Sequence, residues 1–241
     1  MALSKEGFLI LAIIAIAAAV LVPSEDAASE KAVLVDQSDC PRLAHGGPAI
    51  SPGREPAQAE ILAFDVDLGR GFTATATHRY TIAGRVLLNR PYNWDRTAAI
   101  SPLDLAIGWG DMAAPDVLDA FELGGGRRLV HIAARDPSRD VRAMMEFWSN
   151  THVIPASDTL RDDLLEIEPN QMVRLHGYLV QVRGPRGLTW DSSTIRTDYG
   201  FIGCEVMLVT AMETIAPDAP MQTAGLSPAH VPSATSQPSQ P

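Results

Sequence analysis

The chain has 241 residues and a formal charge of −10 at neutral pH, from 29 acidic and 19 basic side chains. That balance excludes nucleic acid as a partner, because phosphate binding needs a basic surface, and it disfavours tight docking on anionic lipid head groups. Only two cysteines occur, Cys40 and Cys204; an oxidising compartment would let them pair if their separation allowed, and two unpaired thiols fit equally well.

The first element is an unbroken apolar run from Phe8 to Val22, preceded by Lys5 and closed by Pro23 and the acidic Glu25, Asp26 and Glu30. As a helix it reaches roughly 22 Å, against a hydrocarbon core of about 30 Å. Residues 1–23 are therefore expected to be a signal-anchor or a signal peptide. The anchor reading gives a single-pass inner-membrane protein whose domain lies in the periplasm, the short span being met by local thinning. The alternative is a secreted or periplasmic protein, cleaved at Ala17-Ala18-Ala19 or at Val22-Pro23-Ser24. Lys5-Glu6-Gly7-Phe8 is similar to a type IV prepilin junction, but Ala12 stands where that family places a glutamate.

Residues 24–58 read as a flexible tether and 216–241 as a Pro/Ser/Ala-rich disordered tail, which leaves one globular domain over 59–215. Within it, Ile61 to Leu68 and Phe72 to Tyr80 alternate as strands, and Tyr80 to Leu88 continues with a bend at Gly84. Pro115 is expected to open a short helix with Val117, Leu118 and Phe121 inward, stopped by Gly124-Gly125-Gly126. Arg127 to Ala133 returns as a strand. Asp136-Pro137 predicts a further helix, with Val141, Met144, Met145 and Trp148 on one buried face. Ser157 is an N-cap for a helix that turns Leu160, Leu164 and Ile167 inward. Met172 to Arg183 and Gly203 to Met212 are long strands, joined through the polar stretch Trp190 to Tyr199. The expected fold class is α+β: a mostly antiparallel, bent sheet or small OB-like barrel with two or three short helices inserted.

Three segments break the local periodicity. Ser101 to Gly110 has apolar residues with no clean period, and its Gly108-Trp109-Gly110 suggests a loop with unusual backbone. Trp148 to Pro155 contains the polar cluster Ser149, Asn150, Thr151 and His152. The third is Trp190-Asp191-Ser192-Ser193 with Gly203-Cys204-Glu205. Carried as SPxDLAxGWG, SxxHxIPA, GYLV and GxCE, these segments resemble a family of uncharacterised bacterial envelope proteins. The resemblance spans roughly residues 80 to 210 and implies one domain, without bringing an activity.

Each of the four tryptophans keeps polar company, and a Trp face beside carboxylates and amides suits sugar stacking. Asp104, Trp109, Asp111, Asn150 and His152 are the expected binding residues, on a non-catalytic module that takes an envelope protein or glycan. The alternative is a hydrolase or transferase with Cys204 as nucleophile, His152 as base and Asp104 as orienter, groups that can meet in space from distant positions. The six histidines show no HExxH and the chain no CxxC, so no metal site and no cofactor are expected.

Overall fold

A computed structural model describes residues 50–135, 144–195 and 203–216. Nine strands carry the fold: β1 (Ala57–Gly69), β2 (Phe72–Pro91), β3 (Leu103–Gly108), β4 (Phe121–Gly126), β5 (Leu129–Ala134), β6 (Trp148–Pro155), β7 (Met172–Gly184), β8 (Leu188–Asp191) and β9 (Glu205–Ile215). Among the described residues there are two helices, α1 (Val117–Ala120) and α2 (Asp158–Leu165). Strands make up 57% of those residues, so the protein is mostly β and the α+β expectation is corrected.

Seven strands form one sheet in the order β1-β2-β3-β6-β9-β7-β8, and a further pairing of β2 with β7 joins β2, β3, β6, β9 and β7 into a closed ring. All pairings are antiparallel except β6 with β9. The 20-residue β2 makes this possible by changing neighbour. Its first half lies beside β1, its second half beside β3, and β7 runs along its other flank as far as Arg85. Inside the ring, Ile82, Leu103, Leu105, Ile107, Val153 and Leu175 pack with Leu164 and Ile167 from α2 and its C-terminal end. The Ser157 hydroxyl caps α2, accepting from the Leu160 N–H at 3.2 Å.

A second apolar layer covers the outer face of β6, β7 and β9, with Ile154, Tyr178, Val180, Val206 and Leu208. The β4–β5 hairpin forms a separate two-stranded sheet and closes, with α1, over Leu87 and Ala106 on the back of β2 and β3. Every residue of β3 is therefore buried. A strand covered on both faces loses the alternation that marks a half-exposed one, which is why Ser101–Gly110 carries no period.

Two helix expectations are also corrected. The helix after Pro115 is only Val117–Ala120, and Phe121–Gly126 is strand rather than helix and stop. A Cβ on Gly125 would stand 2.3 Å from the Leu129 carbonyl oxygen, so the glycine admits a close partner strand. The Asp136 helix lies largely outside the described residues. Its end does not continue to Trp148: Met145–Phe147 is a single 3-10 turn and Trp148 opens β6. Pairing of the β-branched Thr151, Val153 and Ile154 between β3 and β9 overrides the helical spacing. Within the stretch read as tether, Ile50 and Pro52 are buried, and the Pro52 carbonyl accepts from the Gly110 N–H at 3.1 Å.

Candidate functional site

Alternation along β3 and β6 sends side chains to opposite faces. Leu103, Leu105 and Val153 enter the ring, while Asp104, Asn150 and His152 point outward beneath the β4–β5 hairpin. In the β3–β6 ladder Asp104 stands opposite His152 and Ala106 opposite Asn150. Thr151 is level with Glu205 across the parallel β6–β9 pair, so Cys204, one residue earlier, arrives level with Asn150 on the outer face.

These four residues form one connected array. Asp104 Oδ1 lies 2.9 Å from His152 Nδ1, and the two side chains are 2% and 4% exposed. Cys204 acts on the His152 ring as well, adding to the pull of Asp104. Asn150 Nδ2 lies 3.5 Å from Cys204 Sγ. The carboxylate end is sealed from water, whereas Cys204 is a free thiol with partial solvent access. The Trp190 ring packs at 4.8 Å from the imidazole and shields one side of it.

Burial by itself would lower the His152 pKa. Hydrogen bonds and charge from Asp104 and Cys204 outweigh it and raise the value to about 9. At neutral pH the ring is an imidazolium held between a carboxylate and a sulfur. A folded-state pKa above the unfolded value of roughly 6.5 means stabilisation that is full below that pH and lost as pH rises through about 9. The unfolding free energy of the wild type minus that of His152→Gln is thus expected to shrink between pH 6 and 9.5 by on the order of 2–4 kcal/mol. Chemical denaturation at each pH measures it, and a flat difference would show that Asp104 and Cys204 do not hold the proton.

A second layer was not singled out in the sequence. Arg128, in the β4–β5 turn, donates from Nη1 to Asp104 Oδ1 at 2.7 Å and pairs with Asp95 at 2.7 Å through Nε. Its guanidinium lies 3.9 Å from the Tyr92 ring centroid. Burial works against the Arg128 cation, but Asp95 and Asp104 more than compensate and raise its pKa. Burial likewise opposes ionisation of Asp95, and Arg128 overcomes it to hold that carboxyl below its usual range. The Tyr92 hydroxyl is pushed up by burial and by the Asp104 charge.

Trp109 and Asp111 do not join this array. Trp109 is 3% exposed and packs into the core inside the ring. Asp111 is exposed on a 3-10 turn, at the edge of a separate cavity of about 230 Å³ lined also by Asp116, Val117, Phe121 and Met144. Among the described residues no group of three or more His, Cys, Asp or Glu is arranged to hold a metal ion. Two signals in the sequence pointed toward the second layer: Asp95 and Trp190 belong to the polar-flanked tryptophan segments. Arg128 had none, because two arginines after three glycines read only as a turn. No protein-family model, curated protein or solved structure matches the chain.

Proposed function

We propose that the protein is a thiol-dependent acyl hydrolase or acyltransferase, with Cys204 as nucleophile, His152 as acid and base, Asp104 as orienter and Asn150 as oxyanion donor. The observation that supports this reading is the convergence of a partly accessible thiol, an imidazole and a buried carboxylate, with Asp104 Oδ1 2.9 Å from His152 Nδ1 and Asn150 Nδ2 3.5 Å from Cys204 Sγ. Attack needs the thiolate, and His152 beside the sulfur would hold the proton that the thiol gives up.

The sulfur would bond to a substrate carbonyl carbon while the C=O π pair moves onto oxygen, where the Asn150 N–H facing the sulfur can receive it. Collapse expels the leaving group, which takes the proton of the His152 imidazolium. Water or an acceptor hydroxyl then attacks the thioester and returns its proton to His152, and sulfur departs as thiolate. Charge and protons balance over the cycle.

Incubation with an activated acyl ester, followed by peptide mass spectrometry, tests the reading. Wild type is expected to carry the acyl group on Cys204. Asn150→Ala should acylate about 10²–10³-fold more slowly, while iodoacetamide alkylation, which develops no oxyanion, changes only a few-fold. Acylation no faster than in the unfolded chain would sink the proposal.

The likeness to bacterial envelope proteins belongs with this proposal, since Ser101–Gly110, Ser149–Ala156 and Gly203–Glu205 supply Asp104, Asn150, His152 and Cys204. So does attachment to the inner membrane through Phe8 to Val22, with the domain outside the cytoplasm. That run lies outside the described residues, and no helix among the described ones is long and apolar enough to cross a membrane. Recovery of the intact chain from the soluble cytosol would remove this placement.

A second reading, a module binding an envelope protein or glycan, has one observation in its favour. Trp94 is 69% exposed, and its ring lies 6.2 Å from Tyr92, so it offers a free aromatic face for sugar. Glycan-dependent quenching of Trp94 without acyl capture at Cys204 would select it.

A further inference from the structure

The turn joining β4 and β5 consists of Arg127 and Arg128 alone, because Gly126 and Leu129 form the last pair of the ladder. Both arginines take left-handed backbone, at φ 53° and 67°, which is the type I′ geometry usually given to Asn and Gly. An arginine placed there is strained, so something outside the hairpin must hold it.

Asp95, Ser101 and Tyr92 hold it. The Arg128 guanidinium forks onto both oxygens of Asp95, at 2.7 and 3.0 Å. It also donates to the Ser101 carbonyl at 2.8 Å and hydroxyl at 3.2 Å. Its backbone N–H donates to the Tyr92 hydroxyl at 3.1 Å, and the cation covers the Tyr92 ring. With these commitments the guanidinium is neutralised and is not free to bind an anionic substrate.

Two further contacts reach the array itself, from its two ends. Nη1 donates at 2.7 Å to Asp104 Oδ1, the same oxygen that meets His152 Nδ1. The Arg128 carbonyl accepts from Asn150 Nδ2 at 3.0 Å. A primary amide has two hydrogens, so fixing one on Arg128 leaves the other for Cys204 Sγ at 3.5 Å. One residue therefore touches both the orienter of the imidazole and the donor beside the thiol.

We infer that Arg128 is a positioning residue for this site: its side chain sets the Asp104 carboxylate against His152, and its carbonyl aims the Asn150 amide at Cys204. The catalytic meaning of that role rests on the acyl-transfer reading above. The β4–β5 hairpin is then more than a cover for Leu87 and Ala106, since its turn organises the residues beneath it.

Titration of the His152 imidazole by NMR, in the full chain, tests the inference. Among the described residues, the charged and titratable groups that act on the ring are Asp104 from β3 and Cys204 ahead of β9, with Arg128 behind Asp104. Two roles for Arg128 predict opposite signs. If it positions Asp104, Arg128→Ala lets the carboxylate drift and the His152 midpoint falls from about 9 toward the ordinary histidine range. If it merely competes for the carboxylate, removing its positive charge lets Asp104 serve His152 alone and the midpoint holds or rises.

Arg128→Lys keeps the charge but lacks the planar fork that spans Asp95, Ser101 and Asp104, and is expected to show the same fall. This variant decides the matter if Arg128→Ala does not fold. In folded Arg128→Lys, acylation of Cys204 should also drop at least tenfold more than alkylation does, because the turn that carries the residue 128 carbonyl loses its side-chain anchors on Asp95 and Ser101 and shifts away from Asn150. A midpoint that stays or rises in the lysine variant, or equal losses of acylation and alkylation, overturns the inference. The titration needs no turnover, so a fall in the midpoint with no acyl capture in wild type would leave the positioning role standing and sink only the acyl-transfer reading.

Discussion

Replacing Asp104 with asparagine is expected to lower the unfolding free energy by about 3 kcal/mol and to slow acylation of Cys204 by on the order of 10³-fold or more. The carboxylate is 2% exposed and serves two cations, the Arg128 guanidinium and the His152 ring. Removing one partner of a buried pair leaves the other uncompensated, at a cost of about 3–5 kcal/mol. The lower end applies because Arg128 retains Asp95. The chemical loss has a separate origin. An amide at position 104 neither holds the imidazolium nor enforces the orientation of the ring, so His152 reverts toward a neutral, freely turning side chain. Urea denaturation gives the first quantity and acyl-probe kinetics the second. A double-mutant cycle with Arg128→Lys separates them, since stability coupling belongs to the ion pair and rate coupling to the site. Asparagine with unchanged acylation would remove Asp104 from the proposed mechanism.

Legibility of the fold followed burial. β2, β7 and β9 could be read as strands in outline because length, β-branching or alternation survived in them. β3 and β6 could not, because both faces of these strands are covered and the polar residues Asp104, Asn150 and His152 sit where an apolar residue would keep the pattern. The same interruption made those residues conspicuous as candidates: a carboxylate, an amide and an imidazole that fit no apolar period. Their convergence was a matter of register, which no local pattern encodes. Trp109 shows the reverse failure. Its flanking glycines suggested an exposed loop, yet a Cβ on Gly108 would stand 2.6 Å from the Met112 carbonyl oxygen. That glycine serves a close backbone approach, and the indole goes inward. The over-reading of helix has a physical source too, since Phe121–Gly126 acquires its strand state only from its partner β5.

The second large effect is expected at Gly177, where alanine should cost more than about 4 kcal/mol and prevent the ring from closing as it does. Gly177 lies in the middle of β7 where the pairing with β9 shifts register between His176 and Gly177. A Cβ built there would stand 1.9 Å from the Leu208 carbonyl oxygen and 2.9 Å from its carbon. Both atoms are backbone, so no side-chain rotation relieves the overlap; β9 would have to move off β7. That movement would drag Val206 and Leu208 from the outer apolar layer and displace the approach of Cys204 to Asn150. Gly84 presents the matching case on β2, with a Cβ 2.1 Å from the Gly108 carbonyl oxygen, and its alanine variant should fail in the same way. Gly126→Ala is the control, because nothing lies within 4 Å of its added methyl; it is expected to stay within about 0.5 kcal/mol of wild type. Denaturant unfolding of the three variants checks the contrast. A Gly177→Ala protein as stable as the Gly126→Ala control would mean that β7 and β9 do not approach this closely.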